Sequence, residues 1–180
     1  AVSAFRFMEG WFLERGAVDI NEFLQKTYLT RPAERSVWKH LTSWWSQRDN
    51  DHVLLLCYED MLRDREAMVR TVAQFIGIDA DESLIAKTLE YTSLDFMLQY
   101  KHLFDDRMMR ELSERLGGLP PGADGAKVRK GQAGEHRQEL SAETVAIFDE
   151  QWRAQAAPDT ECEDYDAFRA AVSAHRGLAG

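Results

Sequence analysis

The sequence predicts an α/β fold in which one buried β-strand is surrounded by helices. The strand is expected at Val53–Cys57, where five apolar residues follow one another without interruption. An apolar run this short, with polar residues on both sides, is typical of a strand buried on both faces. The other apolar clusters of the chain recur at helical spacing. These observations predict a mostly helical chain with one parallel buried strand.

Such a strand needs neighbours on both edges, because its N–H and C=O groups cannot stay unpaired away from water. The sequence contains no second run of this kind, and its opening helical pattern at Ala1 has no capping residue before it. We therefore expect the chain to be the C-terminal part of a larger α/β protein. Ligands of such folds bind at the carboxyl ends of the strands, which makes Tyr58 and Glu59 candidates.

Helical spacing and helix-start residues predict the remaining elements. Caps are expected at Asp19 or Asn21, at Ser36, at Asp64 and at Thr92-Ser93. The predicted helices span residues 1–15, 19–29, 36–45, 64–76, 79–91, 94–100, 101–116 and 141–152. Glycine and proline interrupt the pattern at residues 117–122. Residues 1–155 are expected to belong to one domain, and 156–180 to form a C-terminal helix or tail.

Composition restricts the classes of function. The chain has 180 residues, 44% of them hydrophobic, and a formal net charge of −9, which argues against a general nucleic-acid binder. Its longest apolar run is far too short to cross a bilayer, so no membrane partner is expected. The two cysteines and five histidines show no disulfide framework and no metal-ligand spacing, which favours a cytoplasmic protein without a metal.

A basic glycine-bearing loop is the first candidate for chemistry. Arg129 and Lys130 precede Gly131, and Gly134 follows. Arginine offers a fork of donors, lysine a point charge, and glycine allows a backbone amide to approach, so the loop could grip a phosphate. A solvated basic loop on an acidic protein is the alternative, and for this motif alone it is the commoner case.

Three further places carry suitable groups. Ser3 stands near the start of a predicted helix, where a hydroxyl can bind phosphate. Tyr58 could stack on a ligand at the end of the predicted strand, or Glu59 and Asp60 could simply steady the turn. A purine could be flanked by hydroxyls and apolar atoms at Thr92, Ser93, Leu94 and Met97. The alternative for this last group is a helix cap followed by core residues, and for Ser3 an ordinary helical serine.

The order of these pieces resembles the cytosolic-type sulfotransferase family. The matching segments, in chain order, are AVSAFRF, SVWKHLTSWW, VLLLCYEDM, YTSLDFM, VRKGQAGEHRQEL and IFDEQW. The resemblance covers most of residues 1–152, and residues 156–180 lie outside it. It implies a P-loop-kinase-like α/β fold and transfer of a sulfuryl group from 3′-phosphoadenosine 5′-phosphosulfate (PAPS) to a hydroxyl or amine.

The resemblance also implies roles for individual residues. Ser3 would donate to the 3′-phosphate of PAPS, and Arg129, Lys130 and Gly131 would hold its other side. The residues around the adenine and its ribose would be Tyr58, Thr92, Ser93, Leu94 and Met97. Leu94 stands where the family usually has phenylalanine, which implies weaker stacking on the purine. The product would be adenosine 3′,5′-bisphosphate (PAP).

The family's 5′-phosphosulfate loop, catalytic lysine and catalytic histidine would all precede Ala1, so no catalytic residue is assigned and these residues alone are not expected to catalyse transfer. The acceptor is expected to be a small alcohol, phenol or amine, with variable segments such as 101–126 contributing to its pocket. Two alternatives stay open. One is a nucleotide-phosphate-binding module without catalysis, and the other is a helical adaptor that uses Trp38, Trp44 and Trp45.

Overall fold

All regular secondary structure in the described part of the chain is helical. The computed structural model describes residues 1–122, 127–128 and 139–175. The α-helices of these ranges are α1 Val2–Trp11, α2 Ile20–Phe23, α3 Val37–Trp45, α4 Tyr58–Arg63, α5 Arg65–Phe75, α6 Glu82–Tyr91, α7 Leu94–Gln99, α8 Arg107–Gly117, α9 Ala142–Gln155, α10 Ala157–Thr160 and α11 Tyr165–His175. Short π and 3₁₀ segments occur at Leu24–Tyr28, Ala33–Arg35 and Lys101–Leu103. Within these ranges, no helix has the length and apolar character needed to span a bilayer.

The predicted helix caps are confirmed. Ser36 Oγ accepts a hydrogen bond from the amide of the residue three positions later, and so does the carboxylate of Asp64. Asp19 caps α2 and Ser93 caps α7 in the same way. Gly77 follows α5 with a φ of +75°, a conformation that L side chains rarely adopt. The local sequence therefore predicts where α2, α3, α5 and α7 begin and where α5 ends.

The prediction of a buried parallel strand is wrong. None of the described residues lies in a β-strand, and Val53–Cys57 is neither helix nor strand. Only Cys57 in this run is buried, whereas Val53 to Leu56 are half-buried. Apolar composition favours burial, but a strand also needs a neighbour for its ladder hydrogen bonds. The described part of the chain provides no such neighbour.

The described residues fall into two compact units. Unit one comprises Ala1–Tyr28 and Ala86–Ser141, and unit two comprises Leu29–Ile85 and Ala142–Gly180. Unit one buries Phe5 against Phe23, with their ring centroids 5.2 Å apart. This contact packs α1 on α2 through two aromatic side chains.

Unit two is organised around tryptophan side chains. Trp152 of α9 is only 5% exposed and meets Trp38 and Phe168 edge to face, with ring centroids 5.8 Å away in both cases. Trp45 packs against the same Phe168, and Val172 completes the cluster. Helix α11, which carries Phe168 and Val172, is therefore part of this core. The Trp-rich face considered for an adaptor is largely used inside unit two, although Trp44 is 48% exposed.

Replacement of Trp152 tests this core. Trp152→Ala removes three ring contacts and the hydrogen bond from Nε1 to the Cys162 carbonyl, which is 3.0 Å long. We expect the free energy of unfolding to fall by about 3–5 kcal/mol, measured by chemical denaturation. The matched control Trp44→Ala removes an exposed ring and should cost less than about 1 kcal/mol. Equal losses in the two variants would contradict this description of the core.

Candidate functional site

Helix α1 presents Ser3 in its first turn. Ser3 is exposed, whereas Val2 before it and Phe5 after it are buried. The backbone N–H groups of a first helical turn have no acceptor within the helix. A hydroxyl and free amide donors therefore occur together at this end of α1, which is an arrangement suited to an anion.

Arg6, one turn after Ser3, joins α1 to the segment that follows residue 138. Its guanidinium contacts Glu9 at 2.5 Å and also pairs with Glu139. The backbone around Glu139 is held further by Asn21, whose side chain donates to the Glu139 carbonyl and accepts from the Ser141 amide at 2.8 Å. Residues 139–141 are thus attached to α1 and α2.

Arg110 of α8 makes the corresponding attachment before residue 123. Its side chain is buried, with the residue 7% exposed, and Nη1 donates to the Gly10 carbonyl at the end of α1 over 2.7 Å. Nη2 donates to the Pro120 carbonyl. Glu114 pairs with Arg110 and accepts from the Gly122 amide at 2.8 Å. Lys127 then places its ammonium 5.1 Å from the ring centroid of Trp11.

Both flanks of the basic loop are therefore fixed to the helix that carries Ser3. The loop residues Arg129, Lys130 and Gly131 lie outside the described residues, as does His136. The structure describes the chain on either side of these residues.

Burial alone would raise the pKa of Glu9, but hydrogen bonds from Arg6 and from the Gly16 amide lower it overall, so Glu9 stays charged.

The group predicted to flank a purine lies at the start of α7. Ser93 Oγ accepts from the Phe96 amide at 3.1 Å, and Thr92 Oγ1 donates to the Thr88 carbonyl at 2.7 Å. Both hydroxyls are thus engaged with the backbone, as the capping alternative predicted. Thr92 is exposed, whereas Leu94 and Met97 are half-buried. The structure therefore brings these four predicted residues together at one helix start.

Sequence reasoning missed an aromatic row beside this helix start. Tyr91 stacks on Phe96 with ring centroids 4.8 Å apart, and Phe96 meets Tyr100 at 4.5 Å. Tyr91 is exposed. The sequence signal for this row was the occurrence of aromatic residues on both sides of the Thr92-Ser93 cap. The row supplies aromatic surface near Leu94, which occupies the position where the resembling family has phenylalanine.

Tyr58, in unit two, is the first residue of α4 and is 49% exposed. The two carboxylates that follow it point to α11. Glu59 accepts from the Tyr165 hydroxyl at 2.9 Å, and Asp60, itself 8% exposed, accepts from Arg169 and Ser173. The sequence singled out Glu59 and Asp60 but not these partners. The only signal for them was the weak apolar pattern of Tyr165, Phe168 and Val172, which is typical of an amphipathic helix.

Electrostatics at this turn follow from burial and pairing. The hydrogen bond from Arg169 holds the pKa of Asp60 below its ordinary value, and Ser173 and Arg63 add to this effect. Burial raises the pKa of the Cys57 thiol to about 11, with further contributions from the charges of Asp60 and Glu59. Cys57 is therefore a neutral packed thiol, not a nucleophile. Among the described residues, no cluster of His, Cys, Asp and Glu could hold a metal ion.

Comparison with known families identifies the class to which this helical chain belongs. Residues 1–160 match the sulfotransferase domain family. This match covers most of the chain, so the chain belongs to that family, and the resemblance noted in the sequence is confirmed.

Characterised relatives are similar over part of their length. Luciferin sulfotransferase of Photinus pyralis is 28% identical over 146 residues, which is 81% of this chain and 37% of that protein. Human sulfotransferase 1C2 is 26% identical over 118 residues, covering 66% of this chain and 38% of that protein. The chain therefore spans about two fifths of the length of these relatives.

A solved structure has a similar fold. Mouse sulfotransferase SULT7A1, determined in complex with PAP, superposes with a TM-score of 0.65. The match covers 99% of this chain and 59% of the mouse chain at 21% sequence identity. This likeness shows that the described residues adopt the corresponding part of a sulfotransferase fold.

The ion pair between Asp60 and Arg169 predicts that the stability of the protein depends on pH. The pKa of Asp60 is lowered in the folded protein, so its carboxylate stabilises the fold above the unfolded-state pKa of about 3.9. That contribution is lost as the pH falls through the lower folded pKa. We expect the difference in melting temperature between the wild type and Asp60→Asn to be largest near neutral pH and to shrink below about pH 4.

Differential scanning fluorimetry from pH 3 to 7 measures this difference. Asp105→Asn is the matched control, because Asp105 is exposed and lies in an irregular segment. It should change the melting temperature little at every pH. A difference for Asp60→Asn that is constant across the pH range would contradict a role for its charge.

Proposed function

We propose that this chain supplies the 3′-phosphate and adenine side of the donor site of a PAPS-dependent sulfotransferase. The observation that supports it best is the attachment of both flanks of the Arg129–Gly131 loop to α1, the helix of Ser3. Arg6 and Glu139 form the attachment on one side, and Arg110 forms it on the other. Family membership supports the class of reaction.

The proposed phosphate contacts follow from charge and geometry. A 3′-phosphate carries about two negative charges at neutral pH and several acceptor oxygens. Arg129 would bind it with two parallel donors, Lys130 with its ammonium, and Gly131 with a backbone amide. Ser3 would donate its hydroxyl from the first turn of α1, where the positive end of the helix dipole adds to the attraction.

The base and its ribose are proposed to contact Tyr58, Thr92, Ser93, Leu94 and Met97. Tyr58 has the exposed ring that stacking requires. Leu94 and Met97 offer apolar atoms at the half-buried start of α7. The hydroxyls of Thr92 and Ser93 bond to backbone atoms and fix the start of α7, where the ribose is proposed to lie.

In the proposed reaction, the acceptor hydroxyl or amine loses a proton and attacks the sulfur in line. The bond between sulfur and the bridging oxygen of the 5′-phosphate breaks, and PAP leaves. The proposed acceptors are small alcohols, phenols or amines. Unit one exposes Leu103 and Met108 and half-buries Phe104 and Met109, apolar surface compatible with such molecules. A cytoplasmic location stays a prediction.

A second candidate is a module that binds PAP without catalysing transfer. Such a module would be a degenerate relative of the family that keeps the phosphate contacts and has lost transfer. Both candidates require the same phosphate contacts. They differ only in turnover, so binding and transfer must be measured separately.

Removal of the loop cations tests the shared contacts. Arg129→Ala and Lys130→Ala should each weaken PAP binding by about 10- to 100-fold, because each deletes a charge-assisted hydrogen bond worth about 1.5–3 kcal/mol. Isothermal titration calorimetry at low salt measures the affinity. Lys87→Ala is the matched control, since Lys87 is an exposed cation of α6 in the same unit.

Lys87→Ala should leave the affinity within about two-fold, as expected for a screened surface charge. Wild-type affinity in both loop variants would refute the proposed phosphate site. It would favour the adaptor alternative, in which nucleotide plays no part.

A transfer assay tests the assignment of this chain to the nucleotide side of the donor site. We expect the 180-residue chain to bind PAP yet to transfer no sulfuryl group from PAPS to 2-naphthol, because no residue of this sequence is assigned as catalytic base. The measurement is chromatographic detection of naphthyl sulfate. Turnover would contradict the assignment of this chain to the nucleotide side alone.

A further inference from the structure

We propose that α11 positions Tyr58 for the nucleotide by clamping the first turn of α4, with Arg169 as the positioning residue. The inference deepens the proposed function and rests on it, because Tyr58 is the proposed adenine contact. The clamp consists of Tyr165, Arg169 and Ser173 on α11 and of Glu59 and Asp60 on α4.

The contacts of the clamp are close and numerous. Arg169 donates to Asp60 Oδ1 from Nε at 3.0 Å and from Nη2 at 2.5 Å. Ser173 Oγ donates to the other oxygen, Oδ2, at 3.1 Å. Tyr165 donates to Glu59 at 2.9 Å. Both carboxylates that follow Tyr58 are therefore held by one helix.

Helix α4 needs such support. It has only six residues, and it follows the irregular segment that ends at Cys57. An isolated helix this short is not stable in water, so its position depends on tertiary contacts. Asp60 provides the strongest of these, because a carboxylate that is 8% exposed must be matched by donors. Tyr58 precedes Asp60 by two residues, within the same turn.

Helix α11 is itself attached to the core of unit two. Phe168 packs against Trp45 at 5.1 Å between ring centroids, and Val172 is buried in the same cluster. At its end, His175 Nε2 lies 2.9 Å from the Arg48 carbonyl oxygen. The clamp therefore connects the tryptophan core to the turn of Tyr58 through one rigid helix.

The α11 side of the clamp lies beyond the residues that the family model matches. The family match ends at residue 160, and α11 begins at Tyr165. Arg169 is not one of the proposed nucleotide contacts. Its expected effect is thus on the fixed position of Tyr58, which favours binding by reducing the entropy lost on stacking.

Arg169→Gln tests the inference with two probes and one exchange measurement. PAP and ribose 3,5-bisphosphate share their phosphates, but only PAP has the base that Tyr58 would contact. We expect Arg169→Gln to weaken PAP binding roughly 3- to 10-fold, which is a smaller effect than the complete loss of stacking on the base would have. Binding of ribose 3,5-bisphosphate should be unchanged. Hydrogen–deuterium exchange of residues 58–63 should rise at least several-fold.

Three variants serve as controls. Arg70→Gln removes another arginine of unit two that pairs with two carboxylates, Glu66 and Glu82, and should alter neither binding nor exchange at 58–63. Arg169→Lys keeps the charge but not the two-donor fork, so it should restore part of the PAP affinity. Val172→Ala loosens the core of unit two without removing a contact to Asp60. If Val172→Ala and Arg169→Gln have equal melting temperatures and lose equal PAP affinity, the effect of Arg169 is one of general stability and not of positioning Tyr58.

The outcomes separate the two hypotheses. Equal weakening of both probes by Arg169→Gln, or unchanged exchange at residues 58–63, overturns the clamp while leaving the proposed function intact. If the wild type binds neither probe, the proposed function fails and the positioning role fails with it. Lys130→Ala should weaken binding of both probes to a similar extent, which distinguishes a phosphate contact from a base-positioning residue.

Discussion

Charged side chains that leave water must find partners, and this constraint organises both units. Asp60 and Arg110 are each less than a tenth exposed. Removing either from water costs several kcal/mol unless hydrogen bonds replace the lost hydration. Each is satisfied by groups far away in sequence, Asp60 by Arg169 and Arg110 by the Gly10 carbonyl. These pairings bring distant segments together with defined geometry.

The same pairings explain why the candidate site is built on irregular segments. Loops position functional groups well only when a scaffold fixes their ends. Arg6 and Arg110 fix the chain on either side of the basic loop, and α11 fixes the turn of Tyr58.

The incorrect prediction of a strand at Val53–Cys57 shows what the sequence could not provide. An apolar run indicates burial, but secondary structure also depends on hydrogen-bond partners that may lie anywhere in the fold. The described part of the chain contains no strand that could pair with this run, and four of its five residues stay half-buried. Helices were predicted better because their hydrogen bonds are local, and the caps at Ser36, Asp64 and Ser93 were all confirmed.

The sequence by itself determined most helices and their caps, the family and the residue types of the basic loop, because each of these depends on neighbours within a few positions or on the order of motifs. It did not predict the short helix α4. Only the tertiary structure decided that Arg110 and Glu139 attach that loop to α1, and that Arg169 holds Asp60. Those contacts join residues about 100 or more positions apart. Packing decides which distant charges meet, and local sequence patterns contain no information about it.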